Sequence, residues 1–215
     1  MQDDEKPILV MGATGGIGRE VVRQGLARGL SIRALSRHAD EMDPQEGLDR
    51  KTGNALDAQD MRAALHGCRA VIFALGIKES LDMLWKEVTL FSEATRVLLD
   101  TMPEAGVSRL VAVTGFGAGR SRDAMSTVER IGHRALLGKP YADKDRQEEM
   151  LMASDLDWTI ARPVILTNGD AKSYTVLRAP ETWRNGLIAR RAVAAYCLDA
   201  VTGGLDLRAD VVLTG

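Results

Sequence analysis

The chain has 215 residues, which suits a single domain built on one large core. With 45% apolar and 27% charged residues, a formal charge of -2 and scattered basic residues, it offers no electrostatic footprint for nucleic acid or an anionic membrane surface. No apolar run approaches the ~20 residues of a membrane span, and Met1–Lys6 is short and acidic, unlike a secretory leader, so the expected location is cytoplasmic.

Short apolar runs alternate with longer amphipathic ones. Pro7–Met11 reads as a buried strand, and Ile17–Arg28 as a helix with Ile17, Val21, Val22 and Leu26 inward and Gly29 ending it. Leu30–Leu35 is a second strand. Asp40–Gly47 is a loop with room for a short helical turn, Leu48–Gly53 a weak third strand and Ala58–Leu65 a short helix. Ala70–Leu75 is a clear fourth strand. Leu84–Ala105 is a long helix closed by Gly106, followed by a fifth strand at Arg109–Thr114. Asp123–Leu137 and Asp143–Ser154 read as two helices parted by Pro140, with Tyr141 ahead of the second. Trp158–Arg162 is the sixth strand, stopped by Pro163. The tail holds a short strand near Tyr174–Leu177, a helix at Arg191–Val201 and a final strand at Val211–Leu213.

Strands alternating with helices imply parallel strands joined by right-handed crossovers, hence a doubly wound α/β sheet with helices on both faces. Such a sheet binds ligands beyond the carboxyl ends of its strands, where the strand order reverses. The expected organisation is one domain, 1–215, with 164–190 as a small substrate-side segment.

The turn Gly12-Ala13-Thr14-Gly15-Gly16-Ile17-Gly18 stands between the first strand and the first helix. Small residues there let a pyrophosphate approach the backbone and the helix N-terminus, with its unpaired N–H groups and positive dipole end. Ser36-Arg37 follows the second strand, where an acid would bind the ribose hydroxyls of NAD. A hydroxyl and a guanidinium match the 2′-phosphate of NADP instead, so NADP(H) is the expected cofactor, with NAD(H) possible as a second choice. Asn54, Ala74-Leu75-Gly76, Thr114-Gly115 and Arg162-Pro163-Val164 close later strands along the same edge of the sheet.

Several other features fit packing better than chemistry. Cys68 and Cys197 read as packed, reduced thiols, and with His38, His66 and His133 they show no ligand spacing, so no metal site is expected. Met125, Met150, Met152, Trp85 and Trp183 suit core or lid packing, and His133 a helix surface. Gly115–Arg122 reads as a flexible active-site loop in which Ser121 and Arg122 are candidate contacts to an anionic group.

Gly12-x-x-Gly15-x-x-Gly18, Thr114-Gly115 and Arg162-Pro163 resemble the atypical short-chain dehydrogenase/reductases, a Rossmann-like family. Lys144–Leu151, Ser154, Leu156, Trp158-Thr159-Ile160, Ile165–Gly169 and Tyr174-Thr175-Val176 are similar to its NmrA-like NAD(P)H-binding and biliverdin reductase B/flavin reductase branch. The resemblance implies that Gly12–Gly18 and Arg37 hold phosphates and that Ala74–Gly76 border the adenosine and ribose. It also implies that Thr114, Gly115, Lys144, Pro163 and Val164 surround the nicotinamide, with Thr114 and Lys144 as the catalytic candidates. The chain departs from the usual tyrosine-x-x-x-lysine pair: Lys144 follows Tyr141 by three residues, and the two are not expected to stack on one helix face in the way that pair requires. The implied activity is NADPH-dependent hydride transfer to a flavin, quinone or similar conjugated small molecule. The alternative is a non-catalytic NADP(H) sensor of the NmrA type. The expected partner is a small molecule, with no nucleic acid and no membrane, and the oligomeric state is open between monomer and dimer.

Overall fold

The computed structural model describes residues 5–76, 88–171 and 173–215, with the side chains of 132–137 left aside. In chain order the elements are β1 (Ile8–Met11), α1 (Gly16–Ala27), β2 (Ile32–Ser36), β3 (Leu48–Thr52), α2 (Ala58–Leu65), β4 (Ala70–Phe73), α3 (Leu90–Glu104) and β5 (Arg109–Val113). There follow α4 (Thr127–Met152), β6 (Asp157–Pro163), β7 (Ile165–Thr167), β8 (Thr175–Leu177), β9 (Leu187–Ala189), α5 (Arg190–Gly203) and β10 (Ala209–Thr214). One sheet runs β3-β2-β1-β4-β5-β6-β10-β8, parallel throughout except for the antiparallel pairing of β8 with β10. The chain winds outward from β1 in one direction through β2 and β3, then returns to β4 on the other side. This is the doubly wound sheet expected, in one domain.

Alternation along each strand sends side chains to opposite faces. Ile8 and Val10 join Ile32, Ile72, Val111 and the inward side of α1 and α5 in one core cluster. Leu9 and Met11 join Val71, Phe73, Leu110 and the inward side of α2, α3 and α4 in the other. The two free cysteines are buried on opposite faces, Cys197 in the first cluster and Cys68 in the second. Met125 and Trp183 are core residues, whereas Met152 is exposed.

The structure corrects the sequence expectations at four places. Thr127–Met152 is a single helix that passes through Pro140, so Tyr141 lies inside it rather than ahead of it. It starts after Ser126, not at Asp123, because Ser126 and Glu129 form a reciprocal capping box. α3 begins at Leu90, where its first amides are received by Asp143 of α4: Phe91 N–H donates to the carboxylate at 2.8 Å and Ser92 N–H at 3.4 Å. Of the longer helix expected there, residues 84–87, with Trp85, lie outside the described residues. Finally, β7 and β9 form a separate two-stranded parallel sheet with Ile165 opposite Leu187, where no strands were expected.

Among the described residues no helix is long and apolar enough to cross a membrane.

Candidate functional site

A cleft of about 1280 Å³ opens at the carboxyl ends of the strands, across the point where β1 lies between β2 and β4. Of the residues expected to bind cofactor, Gly12, Ala13, Thr14, Gly15, Gly16, Ile17, Ser36, Arg37, Asn54, Ala74, Leu75, Gly76, Thr114, Lys144 and Pro163 line it. Gly18, Gly115 and Val164 do not.

The glycine turn is shaped by two kinds of contact. Gly12 has φ +79°, and a Cβ on it would stand 2.6 Å from the Ala74 carbonyl oxygen; one on Gly18 would stand 2.2 Å from the Gly12 oxygen. These two glycines let β1, β4 and α1 close on one another. Gly15 and Gly16 are different, because a Cβ on either would meet nothing within 4 Å. Their missing side chains leave open space at the start of α1. No side chain caps α1 and no acid occupies its first turn, so its leading amides and positive dipole end face the cleft. This cradle fits a pyrophosphate.

On the β2 side, Ser36 shares a 2.9 Å hydrogen bond with Thr14 across the turn. Arg37 is exposed and forms no ion pair among the described residues. Asn54 accepts a hydrogen bond from Leu56 N–H at 3.1 Å on its side-chain oxygen, which orders the turn after β3. Arg19, in the second turn of α1, also lines the cleft.

The far end is built by α4, α3 and the end of β5. Lys144 donates from Nζ to the Thr114 carbonyl oxygen at 2.7 Å and lies 4.4 Å from the centre of the Phe91 ring. Burial lowers its pKa from 10.5 to about 8, against the opposing pull of the Glu148 and Asp143 carboxylates. Tyr141 and Lys144 both line the cleft, since residues three apart are neighbours on one helix face. They meet in the cleft at a spacing of three residues, not the four of the usual pair. Burial, helped by the Glu148 charge, pushes the Tyr141 hydroxyl up to about 12. Gly115 lies beneath this phenol, where a Cβ would come 2.5 Å from the hydroxyl oxygen. Val164 packs into the core, 4% exposed.

Behind this wall lies a chain of buried ions. Thr114 donates its hydroxyl proton to Glu148 Oε1 at 2.6 Å, so that hydroxyl is engaged with the core. Glu148 receives Arg162 through two bonds, Nε to Oε1 at 3.0 Å and Nη2 to Oε2 at 2.7 Å. Arg162, wholly buried, also donates to Asp210 at 2.5 Å. Arg120 completes the chain by pairing with Asp210, and both guanidiniums lie over the Trp183 ring, at 5.1 and 5.2 Å. Burial raises the Asp210 carboxyl, but Arg120 and Arg162 outweigh it and hold its pKa below the usual range.

The same chain of ions holds the glycine-rich segment after β5. Ser121 is buried, donating to the Ala118 carbonyl at 2.6 Å and accepting from Gly117 N–H at 2.9 Å. Arg122 pairs with Asp145 of α4. Neither Ser121 nor Arg122 lines the cleft, so neither is placed as an anion contact. The side chain of His133 lies outside the description. Among the described residues no group of three or more His, Cys, Asp or Glu side chains could hold a metal.

Sequence reasoning did not single out Arg19 or Phe91, set Tyr141 aside, and held Leu166 and Arg190 only as part of the 164–190 substrate-side segment; all five line the cleft. Arg19 was accessible from helical spacing after the glycine turn. The others depend on how α3, α4 and the β7–β9 sheet pack.

Residues 12–203 match the model of a family described as NAD(P)H-binding. The chain belongs to that family. An uncharacterized chloroplastic protein of Arabidopsis thaliana is 26% identical over 206 residues, covering 91% of this chain and 72% of its own. Among solved structures, ChuY, an anaerobilin reductase from Escherichia coli O157:H7, has a TM-score of 0.78 at 26% identity, covering 97% of this chain and 96% of its own. A short-chain dehydrogenase/reductase from Veillonella parvula, in complex with NADP, shares the fold with a TM-score of 0.80 at 17% identity, over 98% of this chain and 94% of its own. As a member of the NAD(P)H-binding family, this chain carries an NAD(P)-binding Rossmann fold of oxidoreductase type.

Proposed function

We propose that this chain is an NADPH-dependent reductase of a flavin, a quinone or a similarly conjugated small molecule. The observation that carries the reading is Lys144, whose ammonium stands half-buried at the far end of the cleft, held by the Thr114 carbonyl, with its pKa lowered by burial to about 8. A group that holds its proton at neutral pH and releases it near pH 8 is matched to general acid catalysis.

NADPH, when bound, supplies the hydride. Gly12, Ala13, Thr14, Gly15, Gly16, Ile17 and Gly18 form the phosphate cradle, Ser36 and Arg37 recognise the 2′-phosphate, and Asn54 and Ala74–Gly76 border the adenosine. Lys144 holds a proton at Nζ and places positive charge beside the acceptor. The tyrosine beside it is the weaker acid, at about 12 against about 8, so the lysine takes the role usually given to the phenol. Thr114 acts as a positioning residue: its carbonyl fixes Lys144 while its hydroxyl is tied to Glu148. Gly115 gives Tyr141 room, and Pro163 and Val164 shape the wall beyond β6. The likeness to an anaerobilin reductase supports the reading of a reductase.

The test is NADPH oxidation by the purified protein with a panel of flavins and quinones. Turnover of at least one acceptor is expected, falling as pH rises through about 8. Tight NADPH binding with no acceptor reduced overturns the reductase reading and leaves the NADP(H) sensor.

A further inference from the structure

Among its described residues the cleft carries more positive charge than its cofactor contacts account for. Among the described residues, Arg19, Arg37, Lys144 and Arg190 line it, and Glu41, which pairs with His38 at 3.1 Å, is the one carboxylate beside them. The chain as a whole is slightly acidic, so the concentration is local. Arg19 and Arg37 stand by the glycine turn and the end of β2, and Lys144 is fixed at the end of β5. Arg190 is left over. It enters from another wall, as the first residue of α5 directly after β9, which pairs with β7 just beyond Pro163.

The surroundings of Arg190 are incomplete in a specific way. Its guanidinium donates to the neutral side-chain oxygen of Asn168 at 2.7 Å, and among the described residues no carboxylate pairs with it. Arg191, the next residue, pairs with Asp170 and lies 3.5 Å from Glu20 of α1. Both arginines sit in the first turn of a helix, where positive charge is unfavourable unless an anion neutralises it. Among the described residues the protein supplies carboxylates to Arg191 and none to Arg190, the one that lines the cleft.

We infer that Arg190 is the substrate-side anion anchor, and that the natural acceptor is a planar conjugated molecule bearing a carboxylate or phosphate. The inference rests on the reductase reading and narrows its substrate class. A guanidinium offers a rigid fork of donors that meets either acid group through two parallel bonds, and Asn168 holds that fork in place. An uncharged quinone or flavin leaves the charge unmatched. The same chemistry would suit the cofactor's own pyrophosphate, so the experiment has to separate the two.

Riboflavin and FMN carry the same ring and differ in one phosphate, which makes them the probes. Binding of each to the NADP⁺-loaded protein is measured by quenching of flavin fluorescence, a readout that needs no turnover. NADPH affinity is measured separately, on wild type and on Arg190→Gln and Arg190→Lys, each checked for an unchanged melting temperature. Wild type is expected to bind FMN about tenfold or more tighter than riboflavin, the effect of one good charged contact. Arg190→Gln is expected to abolish that preference, with riboflavin and NADPH affinities changed less than about twofold, and Arg190→Lys to keep part of it. Equal binding of the two flavins by wild type, or no flavin binding at all, overturns the inference. So does an Arg190→Gln variant whose main loss, about tenfold, is in NADPH affinity, which assigns the guanidinium to the cofactor. Absence of turnover with the FMN preference intact would sink the reductase reading while leaving the anion anchor standing.

Discussion

Replacing Lys144 with Met removes a charge that the fold tolerates at a cost. A pKa lowered from 10.5 to about 8 corresponds to about 3 kcal/mol of disfavour for the charged form in the folded state. The side chain is half-buried, so partial solvent screening reduces this to about 2 kcal/mol. The sign follows from linkage. Below pH 8 Lys144 is charged whether the chain is folded or unfolded, and wild type bears the full cost. Between pH 8 and 10.5 the folded state has released its proton while the unfolded state retains it, so wild type gains stability with rising pH. Lys144→Met has no such group. Its stability relative to wild type is therefore expected to fall by about 2 kcal/mol between pH 7 and pH 10.5, read from urea unfolding of both proteins at several pH values. Every other titrating group is common to the two proteins and cancels in the difference. A stability difference that stays flat to within about 0.5 kcal/mol across that range would refute both the depressed pKa and the acid role built on it.

Arg37→Ala is expected to weaken NADPH binding by about tenfold to a hundredfold, the worth of a charge-assisted contact to the 2′-phosphate, and NADH binding by less than about threefold. Equal losses in fluorescence titrations with the two cofactors would remove the argument for the phosphate. The two kinds of glycine in the turn should separate cleanly. Gly18→Ala places a Cβ 2.2 Å from the Gly12 oxygen and should destabilise the fold by about 2 kcal/mol or more, seen in thermal unfolding. Gly15→Ala meets nothing within 4 Å, so stability should change by less than about 0.5 kcal/mol while NADPH affinity drops about tenfold, because the methyl stands in the phosphate cradle.

Much of this protein was legible in its sequence, for a local reason. The alternation of apolar runs and amphipathic stretches sets the period of each element, and a parallel sheet wound both ways from β1 follows from that alternation. The glycine turn and Ser36-Arg37 stand next to strand ends in the chain itself, so the cradle and the 2′-phosphate candidate needed no knowledge of distant packing. The proline at position 140 shows where local reasoning stops. A proline inside a helix costs about 3 kcal/mol and reads as a break. Here the helix continues because its second half is anchored by tertiary contacts: Asp143 receives the amides of α3, Gln147 donates to Thr95 at 3.2 Å and Glu148 locks onto Arg162. That continuity is what puts Tyr141 beside Lys144 in the cleft.

The chemistry of the far end was decided in the same way. Thr114, Glu148, Arg162 and Asp210 come from separate elements, and no spacing in the chain announces that they form one ion chain. β7 and β9 are three residues each, too short for a period, and exist because they pair with one another. Only that pairing brings Arg190 into the cleft. The sequence by itself determined the sheet and the glycine turn proposed to seat the cofactor, because both are written in neighbouring residues. The tertiary structure decided which charges line the cleft, because the burial of Lys144 and the neutral partner of Arg190 belong to the packed chain alone.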